Sequence, residues 1–202
     1  MSADTSTSAP DPLDGISRIL DNAAGAAIAQ MTAGLSPATI LQAFSDWGMH
    51  LAFSPGKQLQ LAAKATRKNV RFLDYALRSA SDADAPPAIE PLQQDHRFSD
   101  PVWKQPPFNF FVQAFLLNQQ WWHAATTGVG GVTRHHEAMV EFAARQLLDT
   151  LAPTNFLATN PVLQRKIIET GGKCLVDGFQ HLLEDMQHLV RGLPTAGAEK
   201  FR

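Results

Sequence analysis

The chain has 202 residues, and its 17 Lys and Arg against 19 Asp and Glu give a formal net charge of −2. This balance does not favour nucleic acid as a partner of the whole chain. Hydrophobic residues make up 45% of the sequence, enough for a buried core, and the single cysteine, Cys174, excludes an intramolecular disulfide. Because no run of about 18 apolar residues occurs, we expect a cytoplasmic chain with no membrane span.

The first part of the chain predicts a disordered tail followed by a short helical segment. Residues 1–12 are small, polar and interrupted by proline, a composition that cannot form a core. Residues 13–80 show helical periodicity, with a first helix ending at Gly34 and Ser-Pro pairs at Ser36 and Ser54 starting the next two. The third helix carries an apolar stripe that predicts its buried face: Leu59, Ala62, Ala63, Val70, Leu73 and Leu77.

A linker over residues 81–94 is predicted from its prolines and acidic residues, and we expect it to be exposed and unpacked. A second helical domain follows over 95–192, with helices starting after Pro106-Pro107, Thr133 and Asn160. Gly171-Gly172 is expected to kink the last of these, which carries Leu163, Ile167, Cys174, Leu175, Leu182, Met186 and Leu189 on its apolar face. With no alternating strand pattern, the fold class is all-α with about six helices.

Basic side chains of the third helix form the main electrostatic feature. Between residues 57 and 78, Asp74 is the only acid, whereas the positive residues include Lys57, Lys64, Lys68, Arg71 and Arg78. One interpretation is a solvated face opposite the core stripe. The alternative is a stand-alone binding module whose basic amphipathic helix docks on an anionic partner.

Aromatic residues are concentrated at the start of the second domain. They are interpreted either as part of the core or as an exposed binding patch. Helical geometry predicts that Phe108, Phe111, Phe115 and Trp122 share an inward face. Phe110 and Trp121 project elsewhere, and we expect these two to be surplus to the core and available for association.

The sequence contains no complete catalytic, cofactor or metal-binding motif. No G-x-S-x-G or G-x-C-x-G nucleophile elbow is present, and Cys174 is interpreted as a helix-face residue. His135-His136-Glu137 lacks the second histidine of H-E-x-x-H, and the pair His181 and His188 lacks a third ligand. Neither Walker A nor G-x-G-x-x-G occurs. We therefore expect no catalytic residue, no cofactor and no metal in this chain.

Several strings resemble one known family. They are Arg97-Phe-Ser-Asp-Pro-Val-Trp103, Pro107-Phe-Asn-Phe-Phe111, Leu151-Ala-Pro-Thr-Asn-Phe-Leu157, Thr159-Asn-Pro161 and Glu169-Thr-Gly-Gly172. They resemble the N-terminal region of polyhydroxyalkanoate synthases, the poly(3-hydroxybutyrate) polymerases. Upstream strings resemble the shorter helical segment that precedes it in these enzymes: Gly34-Leu-Ser-Pro37, Asp46-Trp47, His50-Leu51 and Ser54-Pro-Gly-Lys-Gln58. Together the matches cover residues 20–78 and 95–190.

The resemblance implies a function in storage-polyester synthesis. Synthases of this kind are acyltransferases that polymerise (R)-3-hydroxyacyl-CoA on cytoplasmic granules, through a Cys-Asp-His triad in a C-terminal α/β-hydrolase domain. Residues 193–202 would then be a truncated connection to that catalytic domain, and the chain alone would be inactive. The implied partners are the catalytic domain, a second copy in a homodimer, the granule surface and phasin-type granule proteins.

Overall fold

A computed structural model describes residues 36–82 and 84–190, together with Ser17, Asn22 and Gly25. Its α-helices are α1 (Pro37–Ala52), α2 (Pro55–Ser81), α3 (Phe108–Thr126), α4 (Arg134–Thr150), α5 (Pro161–Glu169) and α6 (Lys173–Val190). Short 3₁₀ helices span Pro101–Lys104 and Pro153–Asn155. No strand occurs within these described ranges, so the all-α prediction is confirmed. Three predicted parts lie outside the described residues. They are the tail over residues 1–12, the connection over residues 193–202, and the helix that starts at Leu13, of which only Ser17, Asn22 and Gly25 are described.

Proline and capping residues begin the helices close to the predicted positions. Asn160 caps α5, because its side chain accepts a hydrogen bond from the backbone N–H of Leu163 at 3.0 Å. Thr133 caps α4 by accepting from the N–H of His136 at 3.2 Å. Ser36, predicted as a cap, makes no side-chain capping bond, and the start of α1 is instead marked by Pro37 in the first turn.

The expected kink at Gly171-Gly172 is a complete break between two helices. Both glycines have positive φ, +58° and +85°, a conformation that ends a right-handed helix. The N–H of Gly172 donates to the carbonyl of Ile167 at 2.8 Å, which closes α5. The predicted long helix is therefore α5 followed by the separate α6.

The chain divides into two compact units, the first formed by residues 1–59 and 125–143. Its core joins α1 to α4 through Ala43, Met139 and Val140, with Phe44 and Trp47 packed against them. The Trp47 indole N–H donates to the backbone carbonyl of Ala125 at 3.0 Å, which fixes the indole in this unit.

The second unit comprises residues 60–124 and 144–202, and its core is aromatic. The buried residues of this core are Phe98, Trp103, Val112, Phe115, Leu116 and Ala152. Phe98 packs edge-to-face on Trp103, with ring centroids 5.2 Å apart, and on Phe115 at 5.9 Å. Above these rings the Arg97 guanidinium pairs with Asp95 at 2.8 Å and Asp149 at 2.7 Å.

The segment expected to be an unpacked linker is tied to this second unit. Ile89 exchanges two hydrogen bonds with the buried Gln113 side chain, at 2.8 Å and 3.0 Å, and its own side chain packs against the aromatic core. Composition did not indicate this attachment, because it depends on polar side chains of α2 and α3 that lie far away in the sequence.

Candidate interaction surfaces

The basic side chains of α2 make hydrogen bonds within the protein. In the first unit, the Lys57 ammonium donates to the backbone carbonyl of Thr127 at 2.6 Å. In the second unit, Lys68 donates to the side-chain carbonyl of Gln120 at 2.7 Å. Partial burial, followed by the positive charges of Arg71, Lys64 and Arg67, lowers the pKa of Lys68. These two lysines therefore make hydrogen bonds within their own units.

The arginines of α2 hold the segment that follows this helix. Arg71 donates to the carbonyl of Ala88, and Arg78 donates to the carbonyl of Pro86 at 3.2 Å and to the carboxylate of Asp74 at 3.0 Å. A guanidinium has several donors in a fixed plane, so it can bind loop carbonyls that lack other partners. The basic face was interpreted as freely solvated, but these side chains make hydrogen bonds within the protein. The alternative, a basic helix that docks on an anionic partner, gains no support.

The apolar stripe of α2 was predicted to be buried, and this prediction is wrong. Leu59, Val70, Leu73 and Leu77 are 72%, 60%, 59% and 74% exposed. The face turned inward carries Tyr75 and Ser79 instead.

A buried polar network explains this orientation of α2. The Asn109 side-chain amide, itself buried, donates to the Tyr75 hydroxyl at 2.9 Å and to the Ser79 hydroxyl at 3.0 Å. Turning the helix to bury its leucines would leave these polar groups without partners, at a cost of about 1–3 kcal/mol each. Hydropathy alone could not indicate the direction, because it cannot anticipate a buried asparagine on another helix.

Most of the aromatic segment belongs to the core of the second unit. Phe115 is buried, and Phe108 is half-buried against the Trp103 ring. Phe111, predicted to point inward with them, is 38% exposed. Its ring lies at the edge of the cluster, with its centroid 6.4 Å from that of Phe108.

Phe110 and Trp121, expected to be surplus to the core, are half-buried and have partners. Phe110 packs edge-to-face on Tyr75 with ring centroids 6.1 Å apart. The Trp121 indole N–H donates to the carbonyl of Leu61 at 3.1 Å, and its ring packs against Trp122, also half-buried, at 5.4 Å. The prediction failed because α2 covers a second side of α3. Of the six aromatic candidates on α3, Phe111 is the most exposed, and a role for it in binding is still a prediction.

Helix α6 presents an apolar stripe that includes Leu175, Leu182 and Met186 of the apolar face predicted for the last helix. Leu175, Phe179, Leu182 and Met186 are 46%, 59%, 53% and 54% exposed, and their spacing puts them on one helix face. Within the second unit α6 packs on α5, and α5 packs on the 3₁₀ helix Pro101–Lys104. The sequence signal was present in the helical periodicity, but periodicity does not distinguish a face packed in the same chain from one that needs a partner.

The histidine and cysteine candidates are dispersed. A ring N–H of His136 donates to the Asp46 carboxylate at 2.6 Å, and this hydrogen bond is the main reason that the pKa of Asp46 is lowered. Cys174 is half-buried on α6. Among the residues that the structure describes, no group of three or more His, Cys, Asp or Glu could hold a metal ion.

Within residues 36–82 and 84–190, no helix is both long enough and apolar enough to cross a bilayer.

Two family models match the chain. The first, described as poly-beta-hydroxybutyrate polymerase (PhaC) N-terminus, matches residues 94–201, and the second, poly-beta-hydroxybutyrate polymerase N terminal, matches residues 15–57. The longer match therefore includes the aromatic core, the exposed Phe111 on α3 and the apolar stripe of α6.

Curated relatives are similar to between half and two thirds of the chain. A poly(3-hydroxyalkanoate) polymerase of Methylorubrum extorquens is 32% identical over 134 residues, 66% of this chain and 22% of the relative. Polymerase subunits PhaC of Rhizobium meliloti and Cupriavidus necator are 39% and 35% identical, over 54% and 49% of this chain and 18% and 17% of the relatives. The matches thus span about a fifth of the length of these relatives. No solved structure matches the chain.

Proposed function

Because the chain belongs to the poly-beta-hydroxybutyrate polymerase N-terminus family, we propose that it acts as the non-catalytic helical region of a polyhydroxyalkanoate synthase. In this proposal the synthase polymerises (R)-3-hydroxyacyl-CoA, with 3-hydroxybutyryl-CoA as the expected substrate, into storage polyester in the cytoplasm. The helical region supports dimerisation, granule association and polymer handling. The family match over residues 94–201 is the observation that carries the proposal.

The absence of a nucleophile motif in the sequence supports a non-catalytic role. Acyl transfer by a cysteine needs a thiolate activated by a neighbouring base. Cys174 lacks the glycine two residues later that a nucleophile elbow requires, since Val176 occupies that position. We therefore assign the chemistry to the polymerase part that the relatives carry beyond the matched region.

The α6 stripe is the surface that we assign to this polymerase part. An exposed large apolar side chain contributes about 1.5–3 kcal/mol when it is removed from water, so a stripe of four favours a protein partner. Asp177 and Glu184 lie on the opposite side of α6, which leaves the stripe free of charge along its centre. In the relatives, the polymerase part belongs to the same polypeptide and is the most available partner.

Granule association forms the second part of the proposal. The exposed ring of Phe111 at the edge of the aromatic core supplies an apolar contact for polyester or for a phasin-type protein. Phe111 is preferred to Phe110 and Trp121 for this contact because it is 38% exposed, whereas those two side chains are half-buried.

Binding to a polymerase part tests the proposal. The Cupriavidus necator relative without its matched segment is immobilised, and the affinity of this chain is measured by surface plasmon resonance. We expect saturable binding that Phe179→Asp weakens at least about tenfold, because the variant places a charge in the apolar stripe. Leu92→Asp, at a position 65% exposed outside α6, is the control and should bind normally. Absence of binding, or equal loss in both variants, would contradict the assignment.

A further inference from the structure

The exposed stripe of α2 contains a heptad pattern within the second unit. Thr66, Val70, Leu73 and Leu77 follow spacings of four, three and four residues, the alternation of the core positions of a two-stranded coiled coil. All four side chains are exposed, and the small residues Ala63 and Ala80 continue the pattern at either end. The seam, defined here as residues Ala63 to Ala80 at these six positions, is about 27 Å long.

This seam cannot be buried by rotating α2 in place. The opposite face holds Tyr75 and Ser79 in hydrogen bonds with the buried Asn109, and Lys68 in a hydrogen bond with Gln120. Rotation would break these bonds and leave buried polar groups unpaired. Any surface that buries the seam must therefore be one other than the helix α3 on which α2 already packs.

We propose that two copies of the chain pair through this seam as an antiparallel helix pair, with Val70 facing Leu73 of the partner subunit. The same register places Leu77 against the partner's Thr66, and it brings the alanines at the ends together, where small side chains allow close approach. The proposal rests on the proposed function, which includes self-association, and it identifies the surface through which the copies associate. The geometry of α2 alone supports this choice of surface.

Charge complementarity selects a second copy in the antiparallel direction. Arg67 and Asp74 are exposed and lie seven residues apart, at equivalent positions on the same side of the seam. In the antiparallel register each Arg67 lies beside the partner's Asp74, so two ion pairs form about the twofold axis. In a parallel pair these residues would face the partner's Ala62 and Asn69 instead. Asp74 also accepts from Arg78 of its own helix.

Sedimentation equilibrium of the full chain over a range of concentrations tests the interface. We expect a reversible monomer–dimer equilibrium in the wild-type chain. A seam of six side chains on one helix buries less area than stable interfaces, which bury about 1,200–2,000 Å². Leu73→Asp should be monomeric with an unchanged circular dichroism spectrum, since Leu73 is 59% exposed. The control Ile168→Asp changes a side chain that is 81% exposed on α5 and should leave the dimer intact.

Charge reversal distinguishes the antiparallel pair from other arrangements. Arg67→Glu should weaken the dimer roughly fivefold, which corresponds to two exposed ion pairs lost. The double variant Arg67→Glu with Asp74→Arg exchanges the charges on both chains and should restore the dimer.

Three results would overturn the proposal. These are a monomer at every concentration, a dimer that survives Leu73→Asp, and a double variant that is no stronger than the single one. A monomer whose thermal midpoint falls on Leu73→Asp would show that another part of the same chain covers the seam. Failure of polymerase binding with an intact dimer would contradict the proposed function and leave this interface standing.

Discussion

Phe111 and Phe115 lie one turn apart on α3 and differ in what surrounds them. Phe115 packs against Phe98 in the aromatic core, whereas Phe111 is 38% exposed. Phe115→Ala should lower the free energy of unfolding by about 3–5 kcal/mol, because it leaves a cavity. Phe111→Ala should cost only about 1–2 kcal/mol, since part of its ring is already in water. Urea denaturation followed by circular dichroism measures both, and equal losses would contradict the burial described for α3.

Asp95 makes the stability of the second unit depend on pH. The Arg97 side chain donates to its carboxylate at 2.8 Å, and this hydrogen bonding, partly opposed by burial, lowers the pKa of Asp95. The folded pKa thus lies below the value of about 3.9 expected for the unfolded chain. The interaction stabilises the fold fully above that unfolded value, and the stabilisation is lost as the pH falls through the folded pKa.

The predicted outcome is a pH-dependent difference between the wild-type chain and Asp95→Asn. The wild-type chain should have the larger free energy of unfolding at pH 6, and the difference should shrink when the pH is lowered to about 3. Asp84→Asn, at an exposed position whose backbone N–H donates to the Asp82 carboxylate, is the control. A constant difference between the two chains from pH 6 to pH 3 would show that the Arg97 contact does not favour the ionised carboxylate.

At the scale of elements, the break between α5 and α6 depends on backbone conformation. Gly172 has a φ of +85°, which side chains on an L-residue disfavour, while the space around it is open. Gly172→Ala should therefore lower the free energy of unfolding by about 1–2 kcal/mol. Gly178→Ala, inside α6 and equally free of contacts, should raise it by up to about 1 kcal/mol. Thermal unfolding compares the two variants, and the same sign for both would contradict the break.

Helix ends were predictable from local chemistry, and helix orientation was not. Proline and capping residues fix where α1, α2 and α5 begin, because their effect acts within one turn. The inward face of α2 depends on Asn109, which lies thirty or more residues away along the chain. The linker expectation differs from the structure for the same reason, since Gln113 and Arg71 bind residues 88 and 89 from other helices.

For the candidate surfaces, sequence patterns identified amphipathic helices but not their partners. Periodicity gives the same signal for a core face and for an interface. Leu73 on α2 was predicted to be buried and Leu182 on α6 was assigned only to an apolar face, and both side chains are exposed. The aromatic prediction was partly right, because Phe115 does belong to the core. It failed at Phe110, whose ring packs on the Tyr75 ring of α2.

In the proposed function, the whole chain supports catalysis and does not carry it. The helical units provide surfaces, namely the α6 stripe and the α2 seam, and the polymerase part of a synthase provides the nucleophile. A polymerase part that lacks its own matched segment should then work poorly, because it lacks the surface on which it packs. Supplying this chain as a separate molecule should restore part of its activity.

The most direct measurement is CoA release from 3-hydroxybutyryl-CoA by the Cupriavidus necator relative without its matched segment, with and without this chain. We predict background release by the chain alone, low release by the shortened polymerase, and a saturable increase when the two are mixed. Phe179→Asp should reduce the increase, and Leu92→Asp should not. CoA release by the chain alone that is lost on Cys174→Ser would contradict a non-catalytic role. No increase on mixing, although the shortened polymerase is folded, would contradict a supporting role.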